Sequence, residues 1–179
     1  NYKLTYLKEK KKKIGLRFYA GKNLLSRGIQ DGRFAFSLGG QSGSQDVTYE
    51  HYLFGRNRTS GLFAQQRILN QGGFKTVSNF GTSNDFITAL NLTIQLPYIP
   101  FLSVYGDIGA FTINNNLELV GDAGLAIEIG DIFGVYFPLY ETPNLKTSTA
   151  TLGNYMRTVR FTLNMNGLNL NEIVPTALL

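Results

Sequence analysis

The sequence has no cysteine and no tryptophan, and histidine occurs once, at His51. Without cysteine there is neither a disulfide framework nor a thiolate metal site, which excludes neither an oxidising nor a reducing compartment. A zinc site needs several His, Cys or carboxylate ligands at close spacing. Nothing around His51 supplies them, so it reads as a loop residue, and no metal or other cofactor is expected. Charge is also scarce, at 16% of residues against about 25% in ordinary soluble domains. No apolar run approaches the roughly 18 to 20 residues of a membrane-spanning helix. No signal peptide opens the chain, because Asn1 runs directly into a strand-like pattern; a fragment of a longer protein is the expectation.

Catalytic signatures are missing as well. No Gly-x-Ser-x-Gly elbow accompanies His51. Gly39-Gly40 and Gly72-Gly73 lack the Lys-Ser/Thr of a phosphate loop and read as turns. Glu118, Asp122 and Glu128 share a strand face, but at successive separations of about 13 and 20 Å they are too far apart for paired-carboxylate hydrolysis. No catalytic site is expected in this chain.

Aromatics and glycine are plentiful: 13 Phe, 10 Tyr and 20 Gly. The net charge of +5 is local, with Lys8, Lys10, Lys11, Lys12 and Lys13 in one stretch. The remainder is near neutral, which gives nucleic-acid binding little support.

Period-two alternation, the mark of a β-strand with two unlike faces, recurs along the chain. Leu90, Leu92, Ile94 and Leu96 alternate with Ala89, Asn91, Thr93 and Gln95, before a turn at Pro97–Pro100. Leu102, Val104, Gly106, Ile108 and Ala110 alternate with Ser103, Tyr105, Asp107 and Gly109, before a turn at Asn114–Asn116. Leu117, Leu119, Ala123, Leu125 and Ile127 oppose Glu118, Asp122 and Glu128. Phe133, Val135, Phe137 and Leu139 oppose Gly134, Tyr136 and Pro138. After a polar loop over 141–155, Val159, Phe161, Leu163 and Met165 oppose Arg160, Thr162, Asn164 and Asn166.

Weaker alternation covers Tyr2–Tyr6, Ile14–Tyr19 and Phe34–Leu38. The sum is about eight strands, many near the nine to eleven residues that cross a bilayer when tilted. The long connection over 40–85 contains two segments, Val47–Phe54 and Leu62–Leu69, with the pattern of short strands.

A soluble sandwich also alternates, but its wet face is rich in Lys, Glu and Arg. Here the polar faces carry Asn, Thr, Gln, Ser, Gly and isolated charges, as in a crowded lumen. The apolar faces are smooth rows of Leu, Val, Ile and Phe, as for lipid contact. Lipid excludes unpaired backbone groups, so such strands must close into a ring. The expected fold is all-β, an antiparallel transmembrane β-barrel, with residues 1–179 as one barrel segment, 40–85 as a long loop and 167–179 as a tail. Lumen-facing positions would include Glu118, Asp122, Arg160 and Asn164. A soluble β-rich binding module is the alternative from another class.

Over Phe86–Asn166 the chain resembles the terminal strands of the bacterial surface antigen family, the sixteen-strand outer-membrane insertase and translocase barrels. The resemblance rests on an ordered set: Ile94-Gln95-Leu96-Pro97, Tyr105-Gly106-Asp107-Ile108-Gly109, Gly121-Asp122-Ala123-Gly124-Leu125, Tyr136-Phe137-Pro138-Leu139, and the closing strand Arg157–Asn166. It implies the C-terminal half of a larger barrel in the outer membrane of Gram-negative bacteria, acting in membrane assembly or protein transport. Implied partners are outer-membrane lipid, lipopolysaccharide, a polypeptide substrate, and upstream domains or other barrel-complex subunits.

In that family the long loop folds back into the barrel, and an arginine of a Val-Arg-Gly-aromatic motif pairs with the aspartate of the aromatic-x-Asp-x-Gly strand. Carried over, Asp107 is the acceptor. The Val-Arg-Gly motif is absent, and Arg56 or Arg58 of Phe54-Gly55-Arg56-Asn57-Arg58 is the nearest donor. Thr93 stands where the family often has Glu, and the chain continues past its last strand. The bland alternative for Asp107 is a pair with a neighbouring arginine such as Arg160.

The segments Tyr52-Leu53-Phe54-Gly55-Arg56 and Gly72-Gly73-Phe74-Lys75 are also similar to barrels attached to gluzincin-type metallopeptidase domains in Bacteroidota. This implies a membrane anchor for an enzymatic domain whose zinc site lies outside this chain. For the lysine run two readings stand: anionic-lipid or lipopolysaccharide contact by Lys10, Lys11, Lys12 and Lys13, or a solvated hairpin turn. Counting strands back from the resemblance puts that turn on the extracellular side.

Overall fold

The structure is a computed structural model that describes residues 1–7, 12–24, 35–41, 46, 49–55, 61–76, 81–99, 101–130, 132–150 and 153–164. The chain is all-β, with most of its strands in one antiparallel sheet and almost no helix. The elements are β1 (Tyr2–Leu7), β2 (Lys12–Lys22), β3 (Phe36–Ser37), β4 (Thr82–Ser83), β5 (Phe86–Gln95), β6 (Leu102–Ile113), β7 (Asn116–Ile129), β8 (Phe133–Glu141), helix α1 (Pro143–Ala150) and β9 (Arg160–Leu163). Seven strands form the main sheet in the order β1-β2-β5-β6-β7-β8-β9. The sheet does not close on itself; β1 and β9 are its two edges.

Turn chemistry fixes the register. Asn114 and Asn115 both have positive φ, 49° and 63°, and Ile113 pairs with Asn116 across them. This is the two-residue hairpin turn whose twist suits its flanking strands, and asparagine tolerates its left-handed positions. At the opposite end Gly130, with φ 59°, turns β7 into β8. A bulge between Ala123 and Gly124 lets Leu139 slip out of register, so that Glu141 comes opposite Asp122 on the inner face.

The two faces divide as the alternation implies. On the outer face, aliphatic and aromatic side chains of successive strands stay uncovered: Leu16, Phe18, Leu90, Leu92, Val104, Ile108, Leu119, Ile127 and Leu139 are all exposed, Ile108 at 59%. Described residues of the chain's own 23–85 connection pack over the inner face. Leu38 and Phe74 from that connection pack with Ile87, Ala89, Phe111 and Val120 of the sheet and Leu145 of α1.

Several expectations are corrected. Of the strand expected over Phe34–Leu38, Phe34 lies outside the described residues and the remainder is not part of the main sheet. Only Phe36–Ser37 is a strand, paired with Thr82–Ser83, and β2 lies directly against β5 with Ile14 opposite Ile94 and Lys22 opposite Phe86. Leu38 alternates with Phe36 in the sequence, yet it belongs to the connection, which packs it into the core, where it is fully buried.

Removing that strand reverses the parity of the count. The β1–β2 junction sits at the end of the 96–101 and 130–132 turns, with Lys12 Nζ donating to the Ile99 carbonyl at 3.3 Å, and opposite the long connection. Over Val47–Phe54 and Leu62–Leu69, the described residues form no strand of the main sheet. Leu62–Gln65 is a 3-10 turn, and Gln66 and Ile68 make isolated bridges only. The loop expected over 141–155 contains α1, opened by Pro143 at a position where proline's missing N–H costs nothing.

Leu38 touches a close-packed surround, its side chain lying against Gly81 and Gly109. Leu38→Ala is expected to cost about 2–5 kcal/mol, as for deletion of a fully buried leucine side chain. The check is the urea midpoint followed by circular dichroism.

Candidate functional site

One row of polar side chains crosses the inner face of the sheet. Arg17 of β2 pairs in register with Asn91 of β5, Asn91 with Asp107 of β6, Asp107 with Asp122 of β7, and Asp122 with Glu141 of β8. Strand alternation turns all five inward, and pairing stacks them along the hydrogen-bonding direction. Asn91, Asp107 and Asp122 are buried, Asp107 to 1% exposure. Like charges directly opposite one another are destabilising, so the Asp107–Asp122 neighbours need donors.

The connection supplies them. Residues 71–76 run across the strands along this row. Arg17 donates to the Gln71 carbonyl and, at 2.8 Å, to Asn91 Oδ1. Asn91 Nδ2 donates to the Gly72 carbonyl and to Asp107 Oδ1, each at 3.0 Å. Lys75 Nζ forms an ion pair with Asp107 Oδ1 at 2.7 Å, both side chains buried, and the Lys75 amide donates to Oδ2 at 3.2 Å. The Thr76 amide donates to Asp122 Oδ2 at 3.1 Å, and the Thr76 hydroxyl to Glu141 Oε1. The Lys75 ammonium also lies 5.2 Å from the centre of the Tyr105 ring, within cation–π range.

Glycines make this approach sterically open. A Cβ on Gly109 would meet Leu38 Cδ2 at 2.8 Å and Phe74 ring carbons at 3.0 Å, so Gly109 is the seat for the tip's aromatic residue. Gly73 has φ +68°, and a Cβ there would meet the Arg17 guanidinium at 2.4 Å. In Tyr105-Gly106-Asp107-Ile108-Gly109 the aspartate therefore holds the tip's cation and the last glycine admits its phenyl ring. Below the tip, Tyr105 and Tyr136 meet edge to face, their centroids 6.1 Å apart, with Leu69 packed against them.

Asp107 thus pairs with a cation from the folded-back connection, and that cation is Lys75. Arg56 and Arg58, the donors expected for it, lie outside the described residues. Arg160 is 4% exposed and donates to the Val159 carbonyl at 2.9 Å; its charge is repelled by Arg67 and attracted by Glu141 at the end of the row. Glu118 accepts from Asn144 Nδ2 at 3.1 Å, and Asn164 lines a cavity of about 760 Å³ with Tyr136 and Arg67. Lys10 and Lys11 lie outside the described residues; Lys12 and Lys13 open β2. His51 sits in a turn whose amides are held by Asp46, with the His51 N–H 3.1 Å from Oδ2. Among the described residues no three His, Cys, Asp or Glu side chains gather to hold a metal. No helix of the described residues is long and apolar enough to cross a membrane, which says nothing of strands.

Sequence reasoning missed Lys75, Thr76, Arg17 and the acceptor role of Asn91. A signal existed for the tip: Gly72-Gly73-Phe74-Lys75 is a small-small-aromatic-cation string in a loop already required to reach Asp107. No local signal gives the five-strand registration.

No family model matches the chain, and no solved structure matches it. An uncharacterized protein from Caenorhabditis elegans is 31% identical over 120 residues, covering 63% of this chain and 23% of that protein. The chain therefore spans about a quarter of that relative's length.

Two substitutions test the clamp. Asp107→Asn keeps the shape but strands the Lys75 ammonium in a buried site; breaking a buried pair this way costs about 3–5 kcal/mol. Residues 62–76 are then expected to be cut by protease far faster than in the wild type, while equal protection removes the clamp role from Asp107. Gly109→Val displaces Phe74 without touching a charge, and faster cleavage of the same segment is the expected result.

Proposed function

We propose that this chain is the C-terminal half of an outer-membrane β-barrel of the surface antigen type, embedded in the bacterial outer membrane and serving the insertion or translocation of polypeptide there. The observation that carries the reading is the outer face: rows of exposed Leu, Ile, Val and Phe run across adjacent strands while the polar row is sealed on the other side. Ordinary soluble surfaces rarely expose contiguous apolar patches beyond a few hundred Å². Strand length fits too. The 12 residues of β6 and 14 of β7 extend about 40 and 46 Å, which at about 45° of tilt covers about 28 to 33 Å of depth, the thickness of a hydrocarbon core.

The open sheet fits a part of a larger ring, since an unpaired edge is not tolerated in lipid. The clamp fits the same reading, in which a loop held inside the barrel by a buried ion pair controls the lumen and no bond-making chemistry is required. By the rule that such barrels have short periplasmic turns and long extracellular loops, the 23–85 connection faces outward and the Lys12–Lys13 end faces the periplasm. That side presents phospholipid headgroups to the lysines in place of lipopolysaccharide.

The test is detergent dependence of the full-length protein that carries this chain. It is expected to float with liposomes and to need detergent in solution; a monodisperse protein in plain buffer overturns the membrane reading. Within that reading Ile108→Arg, mid-strand on the outer face, is expected to destabilise the bilayer-inserted protein by about 2–4 kcal/mol. Urea unfolding in liposomes measures it.

A further inference from the structure

The clamp does not account for the far side of the sheet, where the connection runs along the last strand. The Asn164 amide donates to the Ile132 carbonyl at 2.7 Å. By the alternation of an antiparallel pair, Thr162 and Arg160 then also bond toward β8, and the main-chain groups of Phe161 point to the outer edge. That edge is occupied at this level. Gln66 and Phe161 form an isolated parallel bridge, and the Arg67 amide donates to the Phe161 carbonyl at 2.8 Å. Gln65 Nε2 donates to the Val159 and Met156 carbonyls at 2.8 and 2.5 Å. Gln66, only 1% exposed, fastens a further stretch: its Nε2 donates to the Tyr52 carbonyl at 2.9 Å, and its Oε1 accepts from the Phe54 N–H at 2.8 Å. Two adjacent glutamines thus tie 65–67 to the edge of β9 and 52–54 to 65–67. What they hold up is an aromatic ladder. The Tyr52 and Phe54 rings meet edge to face at 5.1 Å, and the Phe54 and Phe63 rings lie 5.3 Å apart. All three are exposed, Phe63 at 54%, as are Leu62 and Met156. Tyr52 also lines the cavity of about 760 Å³ with Phe133, Thr162 and Leu163, so the ladder begins on the inner face and continues past β9.

We infer that residues 62–67 stand in the seam of the ring, and that the Tyr52–Phe54–Phe63 ladder is the contact surface for the ring's first strand, whose inward side chains at that level are apolar. The inference rests on the membrane-barrel reading above. Neighbouring strands lie about 4.8 Å apart, so a bridge at Phe161 fills the place the next strand would take, and that strand cannot bond to Phe161 as well. Lipid does not tolerate unpaired main-chain groups, and here the Arg67 amide and the Gln65 side chain serve the Phe161 and Val159 carbonyls in place of a ring strand. The next strand therefore meets side chains of the connection, and these are aromatic. Inward positions of a barrel strand are ordinarily polar, but exposed rings shed water favourably only against apolar groups. Hydrocarbon is not the match, because Tyr52 lines the lumen side of β8 and β9 while the lipid rows lie on the outer face. The first strand of the ring is then expected to read apolar on both faces opposite the ladder.

The experiment places a photo-activatable phenylalanine analogue at Phe63, and separately at Phe54, in the full-length protein reconstituted in liposomes. Both side chains are exposed, so the added bulk leaves the core undisturbed. Illumination is expected to link each analogue to one strand of the same molecule, the first of the ring, at an inward position. Gln66→Ala, which unfastens 52–54 from the bridge, is expected to abolish the link made from position 54. Links confined to residues 1–179, links to lipid or to a second protein, and no link at all each overturn the inference. So does a link from position 54 that Gln66→Ala leaves unchanged. Liposome flotation is scored separately: flotation without a link to the first strand removes only the seam contact, whereas failure to float removes the barrel reading beneath it.

Discussion

The structure depends on the burial of one charged row. Asp107 and Asp122 face each other across two central strands, and removing a carboxylate from water costs several kcal/mol unless a partner and hydrogen bonds are supplied. Among the described residues no strand of the sheet brings a cation to Asp107 at contact distance; the connection does, with Lys75. Without residues 71–76 over the row, the inner face would keep those carboxylates in water. Without the row, the connection would lose the anchors that hold it across β2, β5, β6, β7 and β8. Sheet and connection are each other's condition for being folded.

That coupling explains the uneven use of the two faces. The inner face is filled by a chain segment: Leu38, Phe74 and Leu145 form an apolar layer at the long-connection end, the polar row forms a floor beneath them, and Tyr105 with Tyr136 lies below that. The described residues of the 23–85 connection that pack on the sheet do so on this interior, and Leu90, Ile108 and Leu119 stay exposed outside. A soluble sandwich would put a second sheet against that aliphatic side. Here the second layer lies on the polar side, which is the inverse arrangement and the physical support for the proposed contact of the outer rows with hydrocarbon.

Much of the fold could be read from periodicity, because alternation in β5 to β8 is strong and a one-residue slip would move every side chain to the wrong face. The assignment of Leu90, Leu92, Val104, Ile108, Leu119 and Ile127 to one side agrees with their exposure. The failures have specific causes. Phe34–Leu38 alternates like a strand, yet Leu38 is buried by a tertiary contact with Gly109 and Phe74 that no window of sequence contains. Helix α1 is short and weakly amphipathic, and among its described side chains Leu145 is the buried one, so its polar sequence reads as loop. At the site, Asp107 could be singled out because its motif is local. Its partner could not, because Lys75 lies 32 residues away in a stretch without periodicity, and the register that sets Arg17, Asn91, Asp122 and Glu141 beside it is a property of five strands together.

Lysine in this position changes how the clamp works. An arginine offers a planar fork of N–H donors that can satisfy a carboxylate in two places at once, whereas lysine offers a compact point charge. The missing donors are supplied by the main chain: the amides of Lys75 and Thr76 serve Asp107 and Asp122 respectively, and Asn91 adds a third contact to Asp107. Main-chain donors are set by the path of the backbone, so recognition rests on the shape of the Gly73–Thr76 turn more than on one long side chain. Gly73 at positive φ, packed where a Cβ would strike Arg17, is then as necessary to the clamp as the charge itself. Replacing Lys75 by arginine would add bulk where Tyr105 closes the site, although Asp122 Oδ1 is a buried acceptor without a hydrogen-bond partner. A tip of this design is held by geometry first and by charge second.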